Sequence, residues 1–333
     1  EFVGKVFAPV FPSAYVAYKM NKLVLSGGFM PIGGGGSAKF EKGLPSFEVP
    51  VSGLKTSLAG IGVTDYKLDI NFEGSSIYYG VQGGVSYKIN EIFSVFGGAR
   101  YVMASNSYTG YLKNIQVYRA GNWEAPSTYF YGVATAATGA ANSLSTLVAA
   151  APNITLQDAK TAGYLTDEQV EQLESGLTAA GINPAGYTVS QVQTAYTTVA
   201  NTMTSNGQNL DAQTSDKEVD AAQSGSGVAG IFGINISPNE NLNIGIRYET
   251  ITKMELENDT KKDDTGLFPD SAKYGADIPS QLAVGVSYNM GKIKLMMDFN
   301  YYNNCAVDWD GDEKNFDNTT EFGVGAEYAL TEK

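Results

Sequence analysis

The side chains that most often carry catalysis are scarce in this sequence. None of the 333 residues is a histidine, which excludes a Ser–His or Asp–His hydrolase and a His-ligated metal centre. The single cysteine, Cys305, excludes an internal disulfide and a cysteine-based zinc site. Paired carboxylates could still transfer protons, but the pattern places no two of them in a shared apolar pocket. The composition predicts a protein that is not an enzyme and needs no cofactor or metal.

One acidic segment imitates a metal-binding motif. Residues 308–312 read Asp-Trp-Asp-Gly-Asp, as at the start of a calcium loop. Such a loop needs glycine at its sixth position and glutamate at its twelfth, where Glu313 and Thr319 stand here. A solvated acidic hairpin is the better interpretation.

The net charge of −13 is concentrated in long segments between the strand-like stretches. Residues 150–225 hold nine acidic residues and two lysines, and residues 255–277 hold seven acidic residues and three lysines. Nucleic-acid binding requires a basic face, so nucleic acid is not an expected partner. The acidic charge is explained by the solubility of exposed loops.

The strand-like stretches alternate between apolar and polar residues. Gln281–Met290 is the clearest, and the pattern resumes two residues later. Alternate residues of a strand face opposite sides of a sheet, so each strand has one apolar and one polar face. The residues expected to point outward from the sheet are Leu282, Val284, Val286, Ile293, Leu295 and Met297.

Very short turns and very long connections alternate strictly between these strands. No stretch is apolar enough for a helical membrane span, since the nearest candidate, Phe130–Ala151, is mostly Ala, Thr, Ser and Gly. The pattern predicts an all-β fold, a transmembrane antiparallel meander barrel with its long loops extracellular. The predicted strands are Ala14–Met20, Lys22–Ile32, Tyr66–Ile89, Ile92–Arg119, Gly227–Ser237, Asn241–Leu256, Ile278–Met290, Lys292–Val307 and Thr319–Leu330.

The positions of four tyrosines support this orientation. Tyr18, Tyr87, Tyr288 and Tyr328 each precede a short turn or the chain end, as in an interfacial aromatic girdle. The polar face carries mixed charges, including Arg100 and Arg247. These two arginines either form salt bridges across the lumen or hold the carboxylate of a ligand.

The longest connection, residues 120–226, is predicted to contain helices. Thr166 and Gln169 form a capping box before a helix with Leu173 and Leu177 on one face, and Thr188 or Ser190 could cap a second helix. The apolar face of that second helix carries Val192, Tyr196, Val199 and Met203. Two interpretations stay open: these faces pack on each other, or part of the surface forms a groove for an apolar ligand.

The order and spacing of several motifs resemble a known family. Val10 to Tyr18 reads VFPSAYVAY, Leu23 to Gly33 reads LVLSGGFMPIG, and Asp277 to Tyr288 reads DIPSQLAVGVSY, followed by a strand rich in Asp, Phe and Tyr and then Trp309. Together they resemble FadL-type outer-membrane transporters of long-chain fatty acids and hydrophobic compounds. The resemblance runs from end to end of the chain.

The resemblance implies a fourteen-stranded barrel plugged by an N-terminal hatch. Ligand would be captured in a groove of the extracellular loops and released sideways into the membrane where one strand kinks. The kink maps to Pro31, Gly33, Gly34, Gly35 and Gly36, because proline removes a ladder donor and glycines permit angles that break pairing. The alternative is simply a flexible start to the loop that follows.

The nine predicted strands are too few for such a barrel. We expect residues 1–333 to be a single barrel domain truncated at both ends, with residues 120–226 as an extracellular insertion. The predicted function is outer-membrane uptake of hydrophobic small molecules, with fatty acids implied only by the resemblance. Expected partners are that ligand and outer-membrane lipid, with the protein monomeric. The alternatives are a partner or shuttle barrel of a secretion system, and a general porin.

Overall fold

The chain divides into two compact units in the computed structural model, which describes residues 2–8 and 10–330. We call the first the sheet unit; it comprises the chain up to Gly43, Ile70–Tyr111, and the chain from Lys217 onward. The second, the helical unit, comprises Leu44–Asp69 and Leu112–Asp216.

Among the described residues, thirteen strands form one antiparallel sheet. Its main path is β1-β3-β4-β5-β7-β8-β11-β12-β13, and β2, β6, β9 and β10 pair beside this path. The antiparallel meander that the alternation predicts is therefore confirmed. The strands are β1 (Gly4–Phe7), β2 (Ala14–Met20), β3 (Leu23–Phe40), β4 (Val63–Lys88), β5 (Phe93–Arg119), β6 (Asn122–Glu124), β7 (Lys217–Ile236), β8 (Leu242–Glu249), β9 (Glu255–Asp263), β10 (Lys273–Gly275), β11 (Gln281–Met290), β12 (Ile293–Tyr302) and β13 (Thr319–Tyr328).

The register lines up apolar residues across neighbouring strands on one face. Val286 of β11 lies opposite Met297 of β12, which lies opposite Val324 of β13. Their exposed fractions are 36%, 63% and 83%. On the opposite face, Asp298 lies between Gly285 and Gly323. Of the six residues predicted to point outward, Ile293 and Leu295 are also exposed, while Leu282 and Val284 are half-buried.

The helical unit contains the helices of the long connection and one helix before β4. The helices are α1 (Pro45–Ser57), α2 (Thr128–Ser143), α3 (Ser145–Ala150), α4 (Leu156–Thr161), α5 (Asp167–Ala179) and α6 (Val189–Thr214). The capping box at Thr166 is confirmed, since its Oγ1 accepts from the Gln169 amide at 3.2 Å. Thr188, not Ser190, caps α6 in the same way. Within the described ranges, no helix is long and apolar enough to cross a membrane.

Several predicted boundaries are wrong, among them the strand Asn241–Leu256, which the structure ends at Glu249 as β8. The segment predicted as a loop from Gly33 to Asp65 contains the end of β3 and all of α1, which is held by a core including Leu54 and Leu58. β7 begins at Lys217 rather than Gly227, and β9 occupies part of a predicted loop. β9 was missed because the buried position 258 is an asparagine, whose side chain bonds Gln223 and the carbonyl of Pro269, so hydropathy does not alternate.

Candidate functional site

The ladder between β3 and β4 is irregular at the segment where the sequence predicts a kink. Pro31 pairs with Tyr79, but Tyr78 pairs with Gly33, so Ile32 is passed over. A second register shift passes over Gly35, between Gly34 and Gly36. Each shift inserts one extra residue into β3, as in a β-bulge, which bends the strand and leaves one residue outside the ladder.

Glycine is required at two of these positions. Gly34 and Gly36 have φ of 80° and 92°, a region that residues with a side chain rarely adopt. A Cβ on Gly34 would also lie 2.1 Å from the carbonyl oxygen of Ser76. A Cβ on Gly35, in contrast, would meet nothing within 4 Å. The bulges therefore depend on particular glycines rather than on the whole run.

The other edge of β3 is interrupted at the same level. β1 pairs with the end of β3, Ser37 to Phe40, and β2 pairs with its beginning, Leu23 to Phe29. In the described part of the chain, residues 30–36 have no ladder partner on this edge. A sheet edge left open in this way exposes backbone N–H and C=O groups.

A second interruption separates β8 from β9 and β10 from β11. In place of a continuous ladder, these connecting segments are joined by an isolated bridge between Thr252 and Ile278 and by bonds of Met254 with Ala276 and Asp277. An apolar cavity of about 470 Å³ is lined by this interruption and by the bulged part of β3. This volume is in the range of small-molecule sites. The lining residues are Ile32, Gly33, Gly34, Tyr78, Gly275, Ala276, Asp277, Ile278, Pro279 and Trp309.

The two arginines proposed from the sequence meet at one carboxylate. Arg100 Nη1 donates to Glu249 Oε1 at 2.6 Å, and Arg247 pairs with the other oxygen of Glu249, whose side chain is 8% exposed. Arg100 also donates to Gln82 Oε1, from Nη2 at 2.9 Å. These contacts correspond to the salt-bridge alternative. Arg247 remains half-exposed and lines a second cavity of about 320 Å³ with Asp298.

The ligand candidates on α5 and α6 lie inside the helical unit. Leu173, Leu177, Val192, Tyr196 and Val199 are buried in one core, with Met203 packed against it. These contacts correspond to the packing alternative, because a ligand could reach those side chains only if the helices separated. Tyr196 Oη donates to the Leu173 carbonyl at 2.7 Å, and burial raises the pKa of this tyrosine.

Sequence reasoning assigned no site role to Tyr78, Asp277 or Trp309, which line the first cavity. Tyr78 lies within a long strand and was one of many strand tyrosines. Asp277 and Trp309 lie outside the strands, where alternation carries no signal. The sequence signal that could have pointed to Trp309 was its rarity. It is one of only 2 tryptophans in this chain, and it lies among acidic residues.

No protein-family model matches this sequence, and no characterised protein is detectably similar to it in sequence. Several solved structures are similar to it in fold, among them three from Ralstonia and Pseudomonas species. The Ralstonia pickettii toluene transporter TbuX is 14% identical with a TM-score of 0.48, over 97% of this chain and 66% of that one. A Pseudomonas aeruginosa FadL homologue is 11% identical with a TM-score of 0.46, over 96% and 57%.

The third is the Pseudomonas putida toluene transporter TodX, 10% identical with a TM-score of 0.46, over 96% of this chain and 65% of that one. The FadL type that the motifs predict is thus represented among the similar structures, and two of the three are named as transporters. The chain spans 57–66% of the length of these structures. At such low identity and TM-scores, the likeness carries no argument about function.

Proposed function

We propose that this chain is part of an outer-membrane channel that takes up hydrophobic small molecules. Ligand is captured by the extracellular helical unit and leaves sideways into the membrane at the bulged segment of β3. The observation that carries the proposal is the reversed polarity of the sheet. Its apolar face is exposed, and its charged residues include the buried Glu249 and its partner Arg100, whose side chain is 13% exposed.

The exposed apolar face supports a lipid environment. Leaving a single Val, Leu or Phe side chain in water rather than burying it forfeits about 1.5–3 kcal/mol. Contiguous apolar surface of this kind marks a partner or a membrane. Here it extends across β11, β12 and β13 and includes Phe322 and Val324, which are exposed by more than three quarters. A lipid bilayer removes this cost, because lipid then contacts the apolar face of all three strands in place of water.

Two features support sideways release. The open edge at residues 30–36 interrupts the wall of strands, and an apolar cavity adjoins the bulges. A ligand leaving by this route moves from an apolar cavity into lipid without crossing water. Each methylene kept out of water favours this route by about 0.8 kcal/mol.

The proposed ligand is an apolar small molecule. The motifs of the sequence resemble those of transporters of long-chain fatty acids and hydrophobic compounds, so both fatty acids and aromatic hydrocarbons such as toluene are candidates. In the helical unit, Leu173, Leu177, Val192, Tyr196, Val199 and Met203 would act indirectly, by maintaining the shape of the capturing surface. Arg247, half-exposed at the second cavity, is the group best placed to meet a carboxylate.

The decisive experiment restores regular pairing between β3 and β4. Deleting Ile32 and Gly35 removes the two residues that the register passes over, and Pro31→Val returns the missing N–H donor. Uptake of toluene and of oleate would be measured with the full-length protein in vesicles whose outer leaflet is lipopolysaccharide. Both uptake rates should fall to background while the strand content by circular dichroism is kept.

Gly35→Ala is the matched control, because its Cβ meets open space, and it should transport normally. Undiminished uptake after the double deletion would refute sideways release. Ion conductance of the open, unmodified protein would instead favour a general porin. Absence of any ligand transport, with stable binding of a secretion component, would favour a partner or shuttle barrel.

A further inference from the structure

The cavity beside the bulges has one wall that comes from the acidic segment after β12. Trp309 lines this cavity, and its indole Nε1 donates to the main-chain carbonyl of Asp277 at 2.8 Å. The indole also meets the ring of Phe316 edge-on, with ring centres 5.4 Å apart. Trp309 is therefore held from two sides, at the border of an apolar space.

The carboxylate of Asp277 joins three chain segments around this space. Its side chain is 3% exposed. One oxygen accepts from the Met254 amide at 2.9 Å, and the other accepts from the Asp308 amide at 2.9 Å and from Lys253 Nζ at 2.5 Å. The connections after β8, after β10 and after β12 thus converge on one side chain. A carboxylate that accepts several such bonds is a strong anchor, because bonds to a charged acceptor are about twice as strong as neutral ones.

The anchoring depends on a close approach of two backbones. Gly275 N donates to Asp310 Oδ2 at 2.9 Å, and a Cβ on Gly275 would lie 2.7 Å from the carbonyl oxygen of Asp308. Any side chain at position 275 would push the segment that carries Trp309 away. Glu313 completes the turn by accepting from the amides of Trp309 and Gly311, at 3.2 and 2.9 Å. The acids of this segment that make these bonds, Asp310 and Glu313, hold the tryptophan in place.

We infer that Asp277 is a positioning residue whose carboxylate fixes the Trp309 segment against the cavity, so that the two residues set the width of apolar molecule that the cavity accepts. The inference rests on the proposed function, because it concerns selection among the molecules taken up. Lys253 is well exposed, so removing Asp277 leaves no buried cation behind.

The test uses two brominated probes of different width, flat bromobenzene and globular 1-bromoadamantane. Bromine quenches tryptophan emission on contact, and the emission that Trp309→Phe removes isolates the signal of Trp309. Binding would be measured with the full-length protein in detergent. In the unmodified protein, bromobenzene should quench Trp309 at lower concentration than 1-bromoadamantane does.

Asp277→Ala should lower the ratio of the 1-bromoadamantane dissociation constant to the bromobenzene dissociation constant by about threefold or more. This is the change expected when one aromatic contact is displaced. Asp277→Ala should also lower the anisotropy of Trp309 emission. Gly275→Ala should shift the ratio in the same direction, because the added Cβ pushes the segment that carries Trp309 away directly. Asp277→Asn keeps one acceptor oxygen and should give a smaller shift. Asp312→Asn, in the same acidic segment, is the matched control and should leave the ratio unchanged.

An unchanged ratio in both Asp277→Ala and Gly275→Ala would overturn the inference, as would a Trp309 that neither probe quenches. Combining Asp277→Ala with Trp309→Phe distinguishes a positioning role from a general loosening of the fold. Because this double variant lacks the Trp309 signal, the binding of each probe is measured by competition instead of by quenching. If Asp277 acts through Trp309, the double variant should show no larger change than the single ones. Failure of the proposed function can be distinguished from failure of this inference. A shifted ratio in detergent without uptake into vesicles would refute transport and leave the positioning role intact.

Discussion

The sheet unit and the helical unit differ in the kind of side chain that they expose. In the helical unit, Leu144, Leu177, Val189 and Val192 are completely buried, while most acidic residues of α5 are exposed. In the sheet unit, Phe322 and Val324 are exposed, while Glu249 and Asp277 are buried together with an apolar cluster that includes Val102 and Met254. The two units therefore present different kinds of side chain to their surroundings.

The difference identifies the surroundings that each unit needs. A unit with an apolar interior and a charged exterior gains its stability in water. A unit with an apolar exterior gains nothing from water on that face, and requires lipid or a partner there. The helical unit is therefore suited to water, and the exposed apolar face of the sheet unit is suited to lipid or a partner.

The largest expected effect concerns the interior of the helical unit. Leu177 is 0% exposed, and Leu177→Ala should lower the free energy of unfolding of this unit by about 3–5 kcal/mol, because it leaves a cavity in a packed core. Thermal unfolding followed by helical circular dichroism measures the loss. Val49→Ala, in α1 of the same unit, is the matched control: that valine is 64% exposed and its truncation should cost less than about 0.5 kcal/mol. Equal losses would mean that the helical core does not stabilise the unit.

A matched pair of methionines in β12 tests the reversed polarity of the sheet. Met297 faces the exposed apolar side, opposite Val286 and Val324, and Met296 faces the other side, opposite Ser287 and Gly325. Met297→Arg should destabilise the protein folded in a bilayer by about 2–4 kcal/mol, since a cation in the lipid region is costly. Met296→Arg should have a clearly smaller effect. Urea unfolding from lipid vesicles compares the two, and a neutral Met297→Arg would refute the membrane assignment.

The smallest effect concerns acid stability of the helical unit. Hydrogen bonds from Ser127 and Tyr131 lower the pKa of Asp211, and the Tyr131 bond to Asp211 Oδ2 is 2.7 Å. A lowered folded-state pKa contributes stability above the unfolded-state pKa of about 4, and this contribution is lost as the pH falls through the folded-state value. Tyr131→Phe should therefore weaken the dependence of unfolding on pH below about 4.

The size of this effect is small because Asp211 is exposed and screened by solvent. Tyr129→Phe, on the same helix, should leave the acid dependence unchanged. A stability that rises as the pH is lowered below 4 in the unmodified protein would contradict the assignment.

Local patterns predicted the parts of the fold that are set by neighbouring residues. The alternation in Gln281–Met290 predicted a strand there, given as Ile278–Met290, and the structure has this strand from Gln281 to Met290, because a strand places successive side chains on opposite faces. The capping box at Thr166 predicted where α5 begins, because its bonds join residues only three apart. The proline and glycines of residues 31–36 predicted irregular pairing, since they restrict or free the backbone locally.

The sequence alone thus determined the class of fold, the reversed polarity of the strands and the position of the irregular segment in β3. Only the tertiary structure decided that Leu173 and Val199 pack in a core rather than on a surface, that Arg100 and Arg247 share Glu249, and that Trp309 borders a cavity anchored by Asp277. The physical reason is distance along the chain. Arg100 and Glu249 are separated by 149 residues, and Asp277 and Trp309 by 32. The periodicity of the sequence indicates the face of a strand on which a side chain lies. Only the pairing of segments that are distant in sequence determines which residues that side chain contacts.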